Sequence, residues 1–139
     1  YGKGTKEGIL REMAAEKHLE DAIVFHGFCP NAAGEIVDSA MFVLSSDYEG
    51  VSNSMAEAMA MGIPVISTDC PPGGCRAYIE NGRNGLLVPV GDAHALADAM
   101  KKVAEDRELA EKLSAEGTKI REKYPVEKIA EKMLRAAQK

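Results

Sequence analysis

The chain has 139 residues, of which 45% are hydrophobic and 28% charged, and its formal net charge is −5. That length suits one ordinary domain and is too short for two substantial ones, and the composition is that of a folded globular protein, not a disordered one. No basic tract is present, so nucleic acid and anionic membrane are not expected as main partners; no apolar run approaches the roughly 20 residues of a membrane span, and the N-terminus does not read as a signal peptide.

Tyr1-Gly2-Lys3-Gly4 reads as the end of a strand and its turn, with Thr5 capping a helix that carries Ile9, Leu10, Met13 and Ala14 on one face. Ala22-Ile23-Val24-Phe25 is predicted as a short buried strand closed by His26-Gly27-Phe28. Ile36 and Val37 predict a short helix, and Met41-Phe42-Val43-Leu44 a strand. An apolar helix is then expected to stop at Gly62-Ile63-Pro64. Val65-Ile66-Ser67-Thr68 is again β-branched and bounded by Pro64 and Asp69. Asn81-Gly82 and Asn84-Gly85 are turn signals before Leu86-Leu87-Val88.

The last third is helical. Asp92 is a good N-cap for a helix with Leu96, Ala97, Met100, Val103 and Ala104 at i, i+3, i+4 spacing. Asp106 starts the next, with Leu109, Leu113 and Ile120 inward. Pro125 suits the first turn of a third, an amphipathic helix over 125–139. Strands too apolar to alternate, separated by helices, predict an α/β fold with a parallel sheet covered on both faces.

The segment from Glu49 to Glu57 is the most informative. Gly50 lets a ligand approach the backbone, and Ser52, Asn53 and Ser54 are cap residues whose N–H groups, with the positive end of the helix dipole, suit a phosphate. Glu49 lies before the helix and Glu57 in its first turns, one carboxylate on each side of a bound anion, as a sugar joined to a diphosphate would need. Two plainer readings stand beside this. Ser54-x-x-Glu57 fits a capping box, and Glu49 fits a solvated loop acid.

Other motifs carry less. Gly2-x-Gly4 lacks the third glycine of a dinucleotide fingerprint, because Glu7 stands in its place, so it reads as a strand-to-helix turn. Cys70 and Cys75, even with His26 and Cys29, do not have zinc-site spacing, and no metal or other cofactor is expected. The 3 cysteines, an odd number, argue against a disulfide framework and for a cytoplasmic location. The Pro71-Pro72-Gly73-Gly74 loop follows a parallel strand and so belongs at the carboxyl edge of the sheet, where ligands bind in such folds. No Ser-His-Asp or Cys-His arrangement is visible.

Taken together, Ser45-Ser46-x-Tyr48-Glu49-Gly50, Glu57-Ala58-Met59-Ala60-x-Gly62-x-Pro64-Val65-Ile66 and Asn84-Gly85-Leu86-Leu87-Val88-Pro89 resemble the C-terminal domain of retaining GT-B glycosyltransferases. The resemblance runs from about Leu19 to about Asp106. It is greatest to the family-four group of bacterial polysaccharide and lipopolysaccharide enzymes. It implies a Rossmann-like domain, the C-terminal half of a GT-B fold, that holds a nucleotide-sugar and transfers its sugar with retention and without a metal. In that pattern Glu57 binds the ribose hydroxyls and Glu49 contacts the donor sugar near the reacting centre. The amides of Gly50, Val51, Ser52, Asn53 and Ser54 hold sugar hydroxyls and diphosphate, and His26, Gly27 and Phe28 lie near the base. The loop from Asp69 to Gly74 is similar to that of members using UDP-sugars. Ala77 departs from the glutamate that many relatives carry there.

The resemblance also implies a basic Arg-Lys pair and an acceptor-binding domain ahead of Tyr1. It places two strands between Ala22–Phe25 and Met41–Leu44. Residues 1–139 alone are therefore expected to have unpaired backbone at the sheet centre, and to be marginal, rearranged or partnered, for instance as an intertwined dimer through the incomplete sheet. The expected partners are a nucleotide-sugar, a UDP-hexose or UDP-N-acetylhexosamine, and a glycan or glycolipid acceptor, with peripheral membrane association of the parent enzyme. The isolated chain is expected to be inactive. Two alternatives are a non-catalytic nucleotide-sugar-binding module and a UDP-sugar epimerase of GT-B shape.

Overall fold

The structure, a computed structural model, describes residues 1–125. β1 (Phe42–Leu44), β2 (Val65–Thr68) and β3 (Leu86–Val88) form a parallel sheet in the order β1-β2-β3, with Val43 opposite Ile66 and Ser67 opposite Leu87. Every residue of β2 is buried. Its neighbouring side chains serve opposite faces, as the period of a strand requires. Val65 packs with Met55, Ala58, Met59, Ile63 and Cys75, whereas Ile66 packs with Val88, Val103 and Leu113. The expected α/β architecture, a parallel sheet covered on both faces, is the one observed.

The helices are α1 (Glu7–Glu16), α2 (Ala32–Ile36), α3 (Asn53–Met61), α4 (Gly74–Tyr78), α5 (Ala93–Glu105), α6 (Arg107–Gly117) and α7 (Ile120–Lys123). Residues of α3 and α4 pack on the Val65 face, and residues of α5 and α6 on the Ile66 face. Local chemistry sets their ends. Gly62 stops α3 in the left-handed region at φ 82°, where its N–H bonds the Met59 carbonyl and that of Ile63 bonds Ala58. Asp92 caps α5 through the Ala95 N–H at 2.8 Å, and Asp106 caps α6 through the Leu109 N–H at 2.9 Å.

Several expectations are corrected. α6 ends at Gly117, so Ile120 lies in α7 and packs against the Val65 face instead of following Leu109 and Leu113. The inward stripe of α5 is Ala95, Leu96, Ala99 and Val103; Ala97, Met100 and Ala104 are exposed. α4 opens on two glycines and is too short to show a helical period in sequence. The helix expected over 125–139 lies, apart from Pro125, outside the described residues.

The chain divides into two compact units, Tyr1–Glu35 and the residues from Ile36 onward. In the first, the Gly2 N–H donates to the Gly27 carbonyl at 2.6 Å, the Tyr1 ring stacks on His26, and the Arg11 guanidinium covers Phe25. Thr5 does not cap α1, whose N-cap is Lys6 without a side-chain bond. Ala22–Phe25 is not a strand. Among the described residues no neighbouring strand pairs with it, and a strand exists only through its partner's backbone. Of Ile9, Leu10, Met13 and Ala14, expected on one face of α1, the first three are 57%, 49% and 47% exposed, and Ala14 is buried.

Cys70 and Cys75 are buried in the Val65 core as free thiols, whereas Cys29 is half-buried. Burial pushes the Cys75 thiol above its ordinary value, against an opposing hydrogen bond from Ser67 Oγ at 3.1 Å. Iodoacetamide at pH 9 should therefore label Cys29 in the native protein and leave Cys70 and Cys75 intact until denaturant is added; rapid native labelling of Cys75 would contradict this packing. Leu113→Ala should lower stability by about 2–5 kcal/mol in urea denaturation. Leu10→Ala, at an exposed position, should change it by less than about 0.5 kcal/mol. Equal losses would mean that α1 is packed as tightly as α6.

Candidate functional site

A parallel sheet sends the carboxyl ends of its strands to one edge. Here Leu44, Thr68 and Val88 end β1, β2 and β3, and the loops 45–52, 69–73 and 89–92 start from that edge. The first loop carries Glu49 and leads into α3. Its shape is set by backbone contacts with the second. The Glu49 N–H donates to the Pro71 carbonyl at 3.0 Å, and Gly74 lies so close to Gly50 that a Cβ at Gly74 would overlap the Gly50 carbonyl oxygen. At the root of both loops the Thr68 hydroxyl donates to the Ser46 carbonyl at 2.5 Å. Ser46 Oγ in turn donates to Glu49 Oε2 at 3.4 Å. Glu49 is thus half-buried and held from both main chain and side chain.

The start of α3 departs from the capping-box expectation. Ser52, 5% exposed, is the N-cap, and its Oγ accepts the Met55 N–H at 3.4 Å. Ser54 therefore stands inside the first turn, with its hydroxyl 3.2 Å from that of Ser52. A box would need its acid three residues after Ser52, where Met55 stands. Glu57 is in the second turn, exposed, and its side chain makes no hydrogen bond among the described residues. The Ser52 carbonyl accepts from Ala56 at 3.1 Å. The N–H groups of Asn53 and Ser54 have no protein acceptor among the described residues. Those amides and the helix dipole make this end of α3 attractive to an anion.

Beside this loop, Asp69 and Arg76 form a two-bonded ion pair, and that hydrogen bonding holds the Asp69 carboxyl below its ordinary range. A cavity of about 300 Å³ lies along Asp69, Cys70, Pro71, Pro72, Gly73 and Arg76. Among the described residues no three His, Cys, Asp or Glu side chains converge as metal ligands. No helix among them is long and apolar enough to cross a membrane.

The remaining sequence candidates lie in the first unit. His26 and Gly27 line a cavity of about 290 Å³ together with Tyr1, Gly2, Lys3 and Gly4, whereas Phe28 is 68% exposed and does not line it. The structure therefore brings Glu49 through Ser54 and Glu57 together on one loop and helix, and carries His26–Phe28 on the other unit. Sequence reasoning missed Thr68, Ser46 and Gly74 as the residues that shape the Glu49 loop. Only the unusual Gly73-Gly74 pair hinted at a close backbone approach.

The profile of a family described as glycosyl transferases group 1 matches residues 1–106. A lipopolysaccharide core biosynthesis glycosyltransferase, LpsE of Rhizobium meliloti, is 29% identical over 116 residues, covering 84% of this chain and 34% of that protein. The poly(ribitol-phosphate) alpha-N-acetylglucosaminyltransferase of Staphylococcus aureus is 30% identical over 135 residues, covering 96% of this chain and 27% of its own length. Among solved structures, a mutant of S. aureus TarM in complex with fondaparinux, alpha-GlcNAc-glycerol and UDP superposes with a TM-score of 0.89 at 29% identity, over 97% of this chain and 27% of that one. This chain thus spans about a third or less of the length of these relatives. By sequence and by its α/β architecture, it belongs to the group 1 glycosyl transferases of the GT-B fold.

Proposed function

We propose that the chain is the donor-binding part of a retaining glycosyltransferase, which moves a sugar from a UDP-hexose or UDP-N-acetylhexosamine to a glycan or glycolipid acceptor. The observation that carries this reading is the pairing of a fixed carboxylate, Glu49, with N–H groups at the start of α3 and a carboxylate, Glu57, further along it that have no hydrogen-bond partner among the described residues. A nucleotide-sugar has matching parts: sugar hydroxyls, a diphosphate and a ribose diol. UDP and alpha-GlcNAc-glycerol, held by the TarM structure, support the same substrate class.

In this reading the amides of Gly50, Val51, Ser52, Asn53 and Ser54 take sugar hydroxyls and diphosphate oxygens. The dipole of α3 steadies the negative charge that grows on the departing diphosphate, a charge present mainly in the transition state. Glu49 contacts the donor sugar near the reacting carbon, and its two-sided support removes the need to order it during reaction. Glu57 accepts from both ribose hydroxyls, which its exposure permits.

Calorimetric titration of UDP, GDP and ADP should show saturable binding of UDP, weakened about tenfold or more by Glu57→Ala, since each charge-assisted hydrogen bond contributes about 1.5–3 kcal/mol. Equal, feeble responses from both proteins would remove the donor-site reading. A product assay on the whole protein separates the outcomes further. Glycan elongation supports transfer, free-sugar isomerisation would indicate an epimerase, and neither product would leave a binding module.

Gly74→Ala should lower both stability, by about 1–3 kcal/mol, and UDP affinity, because the added carbon displaces the Gly50 backbone. An unchanged melting temperature together with unchanged affinity would show that the two loops are not locked.

A further inference from the structure

Thr68 ends β2 and is 4% exposed. Its hydroxyl has one proton to give and meets two carbonyls, that of Ser46 in the loop after β1 at 2.5 Å and that of Leu44 at the end of β1 at 3.4 Å. The shorter contact is the principal bond, and Leu44 shares the proton weakly. Ser46 then has two engagements: its carbonyl accepts from Thr68, and its Oγ donates to Glu49 Oε2 at 3.4 Å. The other ties on this loop act at its far half, where the Glu49 N–H meets Pro71 and Gly74 abuts the Gly50 carbonyl. Among the described residues, the near half is fixed to the sheet through the Thr68 hydroxyl.

We propose that Thr68 is a positioning residue for Glu49, acting through Ser46, an assignment that rests on reading Glu49 as the contact to the donor sugar. The chemistry needs a hydroxyl and not merely the shape of a β-branched residue. Valine would fill the same buried space but donate no proton, leaving the Ser46 carbonyl to drift and its Oγ to lose register with the carboxylate. Serine would keep the bond.

The test uses the whole protein as Thr68→Val, Thr68→Ser and Glu49→Gln variants. Turnover with the UDP-sugar donor, UDP affinity and hydrogen exchange of the backbone amides are measured for each. Thr68→Val should lower kcat about tenfold, toward the level of Glu49→Gln, and speed exchange at the Glu49 amide by a similar factor, about the effect of one lost buried hydrogen bond. UDP affinity and exchange within β2 should stay within about twofold, and Thr68→Ser should restore every value. Wild-type turnover and exchange in Thr68→Val, beside an impaired Glu49→Gln, would overturn the assignment of Thr68 alone. So would a loss of UDP affinity equal to the loss of kcat, which is the mark of a general collapse. Full activity in Glu49→Gln would instead overturn the reading of Glu49, and with it any catalytic purpose for Thr68.

Discussion

The parallel pairing of β2 with β1 on one side and β3 on the other is the constraint on which the rest depends. Parallel strands cannot be joined by tight hairpins, so each connection must leave the sheet and return over one of its faces. The two connections carry α3 and α4 over the Val65 face, while α5 and α6, which follow β3, cover the Ile66 face, so β2 is apolar or hydrogen-bonded at every position. The two polar residues of β2 satisfy themselves locally: Ser67 bonds the Thr68 carbonyl and Cys75, and Thr68 bonds the crossover from β1. The same pairing collects the strand ends at one edge. A loop built there starts from a rigid base.

The two glutamates differ in a way that follows from this geometry. Glu49 sits on the loop side, half-buried, with its main chain tied to Pro71 and its side chain to Ser46. Glu57 stands one turn into α3 with no partner among the described residues. A carboxylate already held in place makes its contacts with little further loss of side-chain entropy, whereas an exposed one must be ordered by what it binds. The first arrangement suits a group that acts on a reacting centre, and the second a group that grips a remote part of the ligand.

The neighbouring loop contributes by packing, without a charged contact to Glu49. Gly74 has no room for a side chain, because the Gly50 carbonyl occupies that space. Asp69 and Arg76 neutralise each other at its base, so this edge of the sheet carries a paired charge.

Much of this was legible in the residues themselves. β-branched runs bounded by Pro64 and Asp69, Asp92 and Asp106 as caps, and Gly62 as a stop all act over a few neighbours, and the structure has them where local chemistry places them. Glu49, Gly50 and Glu57 stood out because an acid, a glycine and a helix start follow one another. The misreadings share one cause. Whether Ala22–Phe25 is a strand, whether Ser52 or Ser54 caps α3, and which core Ile120 enters each depend on partners distant in sequence or on a choice among near-equal local bonds. The sequence alone therefore determined the α/β class, the bounds of β2, the starts of α5 and α6 and the chemical character of the loop. Only the tertiary structure decided that Thr68, Pro71 and Gly74 fix the loop on which Ser46 meets Glu49, because those three contacts join residues more than twenty apart that the parallel pairing of β1 and β2 brings together.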